Sequence, residues 1–164
     1  YSRHDYAHLV RGETKLFLKT FYIQNAALQD RETYSFWEHC YGESEHKTHE
    51  EAWFLMQIRW MLYLEQGDTL ALLRGIPRDW LAPGRHIEVN QAKSRLGALS
   101  FRAANENGGL NCTFKVGAEV AGVRIRLPHP NGKKAVRCSG GQYDPDSETV
   151  LCVGNSGKVT LEFE

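Results

Sequence analysis

The segment from Gln29 to Lys47, QDRETYSFWEHCYGESEHK, concentrates the residue types that carry acid–base chemistry. It holds Glu32, Glu38, Glu43 and Glu45, His39 and His46, and Tyr34, Phe36, Trp37 and Tyr41. Paired carboxylates suit the cleavage of glycosidic bonds. One carboxylic acid protonates the leaving oxygen, and a second carboxylate activates water or attacks the anomeric carbon. Glu43 and Glu45 are the candidate catalytic carboxylates, and Trp37 and Tyr41 offer flat faces on which a sugar ring could stack. Glutamates beside a helix start also favour its dipole without any catalytic role. That explanation suits Glu50 and Glu51, in the first turn of the helix that follows. It suits Glu43 less, because Glu43 lies too far upstream.

Other chemistries find less support. His46-Lys47-Thr48-His49-Glu50-Glu51 invites a metal reading, but Ala52 and Trp53 stand where a zincin motif needs its second histidine. A hydrogen-bonding role for His46 and His49, or a plain solvated helix start, is the better reading, and no metal or cofactor is expected. There is no G-x-S-x-G, no P-loop and no G-x-G-x-x-G. Asn111-Cys112-Thr113 fits a glycosylation sequon, yet it falls inside an expected strand. Cys40, Cys112, Cys138 and Cys152 form neither a C-x-x-C pair nor a zinc-finger spacing. Reduced, structural thiols are the expectation, with a Cys138–Cys152 bridge between neighbouring strands left open.

These residues need helices to hold them. Residues 1 to about 11 read as the end of a helix, with Gly12 as its left-handed stop. A second helix is expected from Glu13 to Leu28. Its apolar residues cover more than one stripe, so burial on more than one side is expected. A third runs from about Thr48 to Glu65, with Thr48 and Glu51 as a capping box. Trp53 and Trp60 read as core. The third helix is apolar nearly all round and needs neighbours on every side. Three helices supply too few, so upstream helices are expected to complete the layer. The 29–47 connection is long for a helix pair, where about 2–8 residues is usual, and such loops on rigid scaffolds are where sites tend to lie.

The grammar changes after Asp68. Of the 164 residues, all four Trp lie at or before Trp80, whereas ten of the fifteen Gly follow Gly84. Strands are expected near His86–Val89, Leu99–Ala103, Leu110–Val116, Val123–Leu127, Ala135–Ser139, Thr149–Val153 and Lys158–Phe163. Seven short strands at such spacing argue an antiparallel sandwich. Arg124 and Arg126 alternate with Val123, Ile125 and Leu127, the pattern of a sheet with one wet face. The reading is α+β: residues 1–67 helical, 68–84 a linker, and 85–164 a small β-sandwich. Twenty basic residues balance twenty acidic ones, so no net charge draws the chain to nucleic acid. No apolar run reaches the roughly 20 residues that span a bilayer. The absence of an initiating Met leaves localisation open and suggests a missing N-terminus.

One family resemblance ties these features together. The acidic and histidine-bearing loop leads into an apolar helix, then Asp68-Thr69-Leu70-Ala71-Leu72-Leu73-Arg74-Gly75-Ile76-Pro77-Arg78-Asp79-Trp80-Leu81, then a small β domain. This order resembles the C-terminal end of bacterial six-hairpin, (α/α)6-barrel glycoside hydrolases. His46-Lys47-Thr48-His49-Glu50-Glu51-Ala52-Trp53 is similar to the start of their last inner helix. The resemblance implies the last helices of an (α/α)6 barrel with a C-terminal sandwich, the 29–47 loop at the sugar cleft, and a carbohydrate substrate. Glu43 would be the general base or a water-positioning carboxylate, with Glu45 second. Trp37, Tyr41, His46, His49 and Glu50 would contact sugar. The general acid would come from an earlier hairpin, so the chain by itself is expected to be inactive. A non-catalytic carbohydrate-binding or structural module is the alternative. So is a lyase using Tyr34 or Tyr41 with His39 or His46.

Overall fold

The computed structural model describes residues 4–38 and 46–164. The chain divides into two compact units, Tyr1–Leu62 and Tyr63–Glu164. The first contains α1 (Asp5–Arg11), α2 (Thr14–Leu28) and α3 (Thr48–Leu62). Gly12 ends α1 in the left-handed region at φ 82°, and the Gly12 and Glu13 N–H groups close on Leu9 and His8. Only glycine takes that conformation without a Cβ clash.

α2 buries one stripe, Phe17, Phe21 and Leu28, rather than several sides. Ile23 is 58% exposed, and Leu16 and Tyr22 are also exposed. The reason is numerical: α1 and α3 cover one face of α2, and no other described element of this unit covers the rest. α3 behaves alike, with Trp60 and Met61 buried and Leu55 66% exposed. The core between them is aromatic. Phe21 stacks on Phe17 and on Phe54, Phe36 tilts against Phe54, and Trp60 meets both Tyr6 and Trp53. Thr48 is the first residue of α3, not its cap. The Glu50 and Glu51 N–H groups donate to the Lys47 carbonyl, so Lys47 takes the cap position.

α3 stops three residues earlier than its apolar run suggests, and β1 (Tyr63–Gln66) begins at once. Leu64 is buried in either arrangement, so the hydrophobic pattern does not distinguish them. The Gly67–Asp68 turn decides it. Gly67 at φ 65° lets β1 fold back on β2 (Thr69–Leu72), with Tyr63 opposite Leu72. Residues 68–84, read from the sequence as a linker, therefore carry β2 and the 3-10 turn Arg78–Leu81. Leu70, Leu72, Leu73, Ile76 and Leu81 are fully buried in the second unit.

The remaining strands are β3 (His86–Ser94), β4 (Gly97–Glu106), β5 (Gly109–Lys115), β6 (Gly122–Arg126), β7 (Arg137–Ser139), β8 (Gln142–Asp144), β9 (Thr149–Cys152) and β10 (Ser156–Glu162). Together with β1 and β2 they make two five-stranded sheets with orders β1-β2-β6-β9-β8 and β3-β4-β5-β10-β7. The second is antiparallel throughout. The first contains a parallel pair, β2 with β6, that corrects the expectation of an all-antiparallel arrangement. Nothing local encodes that pair, because its partners are some fifty residues apart in sequence. Local chemistry does encode the β4–β5 hairpin. Asn107 and Gly108 both take positive φ, as a tight two-residue turn requires.

Each sheet buries one face. Leu99, Phe101 and Ala103 on β4, Leu110, Cys112 and Phe114 on β5, and Val159 and Leu161 on β10 are inside. Arg126 departs from the alternation expected for a wet face, since it too is buried. Its guanidinium donates to the Ile76 carbonyl at 3.0 Å and to Glu148 at 3.2 Å. Arg78 grips the same carboxylate with two bonds of 2.7 and 2.8 Å. One buried glutamate thus holds two cations, which is how Arg126 tolerates an interior position. Burial pushes the Arg126 guanidinium below its ordinary pKa, partly offset by Glu148. No helix among the described residues is long and apolar enough to cross a membrane.

Candidate functional site

Polar groups run through the middle of the helical unit. Gln57 interrupts the apolar face of α3 and is buried. Its amide donates to Asp5 Oδ2 of α1 at 2.6 Å and to Gln24 Oε1 of α2 at 3.2 Å. Gln24 in turn donates to Glu50 Oε2 at 3.4 Å. Glu50 Oε1 lies 3.2 Å from His49 Nε2. The chain Asp5–Gln57–Gln24–Glu50–His49 therefore joins all three helices and ends on an imidazole. The exposures decide the roles. The Glu50 side chain is 1% exposed, whereas that of His49 is 50% exposed. A buried carboxylate thus lies beside a solvent-facing imidazole at the start of α3.

Glu50 was expected to touch sugar; its side chain is buried, with Oε2 accepting from Gln24 and Oε1 3.2 Å from His49 Nε2. Trp37 and His46 lie close to the same helix start. The Trp37 N–H donates to the Leu28 carbonyl at the end of α2, and the Lys47 N–H donates to the Phe36 carbonyl. Lys47 also pairs with Glu38 at 2.6 Å. These bonds fasten the two ends of the 29–47 segment together. His46 is exposed and sits at φ 59°, an uncommon backbone state for a residue with a Cβ. Asp30 lies within its electrostatic reach. The Asp30 carboxyl is held below its ordinary pKa mainly by the Glu32 N–H, then by the Thr33 hydroxyl, with a small contribution from His46.

The structure thus brings Trp37, His46, His49 and Glu50 to one end of the helical unit. Glu43, Glu45 and Tyr41, with His39 and Cys40, lie outside the described residues. The sequence reading missed Asp5, Gln24 and Gln57. The available signal was the single Gln57 within an apolar helix face, since a buried amide must find partners. Among the described residues Asp5 Oδ1 has no hydrogen-bond partner, although Asp5 is fully buried. Gln57 is then the bond that makes the Asp5 carboxylate tolerable. Replacing Gln57 with Leu is expected to cost about 2–4 kcal/mol. The Asp5→Leu/Gln57→Leu double variant should recover much of that loss in urea denaturation.

The β unit offers a second, shallower feature. The outer face of β3, β4 and β5 forms an open trough of about 380 Å³. Glu88, Arg102 and Thr113 lie in one cross-strand row, and Ser100 faces Lys115 in the next. Asn90 donates to Glu88 at 2.8 Å, and Arg102 pairs with Glu106 at 2.7 Å. The hydroxyl of Ser100 accepts the Gln91 N–H at 2.9 Å, where a bulge bends β3. Phe101 and Phe114 are buried, so neither provides an open ring face for a sugar. Among the described residues no three His, Cys, Asp or Glu side chains gather closely enough to hold a metal ion. No protein family, curated protein or solved structure matches the chain.

Proposed function

We propose that this chain is the C-terminal part of a carbohydrate-active enzyme, a glycoside hydrolase working by acid–base catalysis on an oligosaccharide or polysaccharide. One observation carries the reading: a buried carboxylate, Glu50, lies 3.2 Å from an exposed histidine at the start of α3. That pair stands at the end of the segment that supplies Glu43 and Glu45. In this reading His49 and His46 bind sugar hydroxyls and Trp37, with Tyr41, stacks on a ring. Glu43 activates water or positions it, with Glu45 as the second choice. The exposed apolar residues of α2 and α3 support further helices of the same protein packing there, as an (α/α)6 barrel would require. The general acid comes from that region. No cofactor takes part.

The test uses the full-length protein on a broad panel of glycans. Glu43→Gln or Glu45→Gln should lower turnover by about 10²–10⁴-fold, the usual worth of a positioned acid or base. Turnover like that of the wild type in both variants overturns the assignment. Unsaturated uronic products absorbing in the ultraviolet would instead reveal elimination by a lyase. The polar trough on β3, β4 and β5 favours a second reading, saccharide binding without catalysis. Glycan binding by the full chain that disappears in Lys115→Ala and persists in Glu43→Gln would establish it.

A further inference from the structure

Three thiols in the β unit play no part in the site above. Cys112 on β5 and Cys138 on β7 flank β10, opposite Val159 and Leu161 respectively. Cys152 lies on β9, in the other sheet, so Cys138 and Cys152 are not on neighbouring strands as the sequence suggested. All three are free. What brings Cys138 and Cys152 together is a corner. The chain leaves β7 and enters β8, in the other sheet, through Gly140 and Gly141. A Cβ on Gly140 would stand 1.9 Å from the Lys158 carbonyl oxygen. A Cβ on Gly141 would stand 2.5 Å from the Leu151 carbonyl oxygen and 3.2 Å from the Cys152 sulfur. The Cys138 thiol donates to the Gly141 carbonyl at 3.5 Å. Both sulfurs therefore border one glycine, in a corner that the Val150 side chain also enters, its Cγ1 2.6 Å from the Gly141 Cβ position.

The two thiols differ in access. Cys138 is half-buried and Cys152 is 1% exposed. Burial raises the Cys138 thiol above its ordinary value. Burial, with a smaller contribution from Cys138, pushes Cys152 up to about 11. Cys112 is deeper, pushed to about 12 by burial and then by Cys152. The accessible thiol therefore meets a reagent first, and a buried one stands behind it.

We propose that Cys138 is a thiol–disulfide exchange site for small disulfides of the glutathione class, with Cys152 as its resolving thiol. The Cys138 thiolate attacks one sulfur of the small disulfide, whose S–S bond breaks. A mixed disulfide forms, and one small thiolate leaves and takes a proton from water. Cys152, after losing its proton to water, attacks the Cys138 sulfur and expels the second small thiol. Two protein thiols are oxidised to one disulfide, and one small disulfide is reduced to two thiols. The new bond joins β7 to β9 and so ties one sheet to the other at the glycine corner.

The experiment treats the full reduced chain with glutathione disulfide, quenches with acid, and reads intact mass and mapped peptides. The expected product has lost two hydrogens, carries no retained glutathione and yields a Cys138–Cys152 cross-linked peptide. Both thiols react as thiolates, so the rate should rise about tenfold per pH unit between pH 7 and 8. Cys152→Ser should retain one glutathione on Cys138. A stable adduct on Cys138 in the wild-type chain overturns the proposal, as does a cross-link to Cys112 or Cys40. Unreacted Cys138 that iodoacetamide nonetheless alkylates also overturns it.

Discussion

Replacing Glu148 with alanine should lower the stability of the β unit by about 3–5 kcal/mol, the range seen when one partner of a buried ion pair is removed. The carboxylate is buried and bonds both Arg78 and Arg126. Among the described residues, its loss leaves the buried Arg126 charge with only the Ile76 carbonyl as partner. Arg78 is better placed to recover, because it is partly exposed and also bonds the His129 carbonyl at 2.8 Å. Backbone strain does not confuse the comparison. Glu148 sits at φ 55°, and alanine carries the same Cβ, so that cost is common to both chains. Urea denaturation gives the number through the midpoint at constant slope. A second variant separates charge from packing. Arg126→Met with Glu148→Leu removes both charges and should recover most of the loss, because apolar replacement of a buried pair is often near neutral. A loss below about 1 kcal/mol in Glu148→Ala would show that water reaches both guanidinium groups.

Gly140→Ala should cost about 3–5 kcal/mol. Two terms add. The residue takes φ 87°, where an L side chain costs about 1–2 kcal/mol. Its Cβ would also stand 1.9 Å from the Lys158 carbonyl oxygen, which belongs to β10. That strand is paired along its length to β5 and at its end to β7, so backbone and not a flexible side chain must move. Gly132 provides the control. It has a similar φ of 72° and nothing within 4 Å of its Cβ position. Gly132→Ala should therefore lose only the conformational term. The difference between the two midpoints isolates the close approach at the corner, and equal losses would show that the corner opens without resistance.

The same two positions show where local reading stops. Gly140 directly follows the expected Ala135–Ser139 strand, but the tightness at that position depends on a carbonyl from a strand some twenty residues on. Nothing near Glu148 in sequence announces Arg78 or Arg126 as its partners. Arg126 reads as solvent-facing from alternation, and only its tertiary partner brings it inside. In the helical unit the three helices and the Gly12 stop were readable from period and punctuation. The Asp5–Gln57–Gln24–Glu50 chain was not, because its members come from three helices and each alone resembles a surface polar residue. His49 beside Glu50 was readable as an adjacent pair, but which of them meets solvent was not.

Sequence alone determined what depends on neighbours along the chain. That covers the helical first part, most strands of the second, the Asn107–Gly108 hairpin and the clustering of acids, histidines and aromatics between Gln29 and Lys47. Periodicity and turn chemistry act over a few residues, so they survive in the linear text. Tertiary structure decided the end of α3 at Leu62, the parallel pairing of β2 with β6, the burial of Glu50 and Arg126, and the placement of Cys138 and Cys152 beside one glycine. Each of these is settled by desolvation or close packing against a distant segment. Those free energies belong to contacts between segments, not to any stretch of sequence read alone.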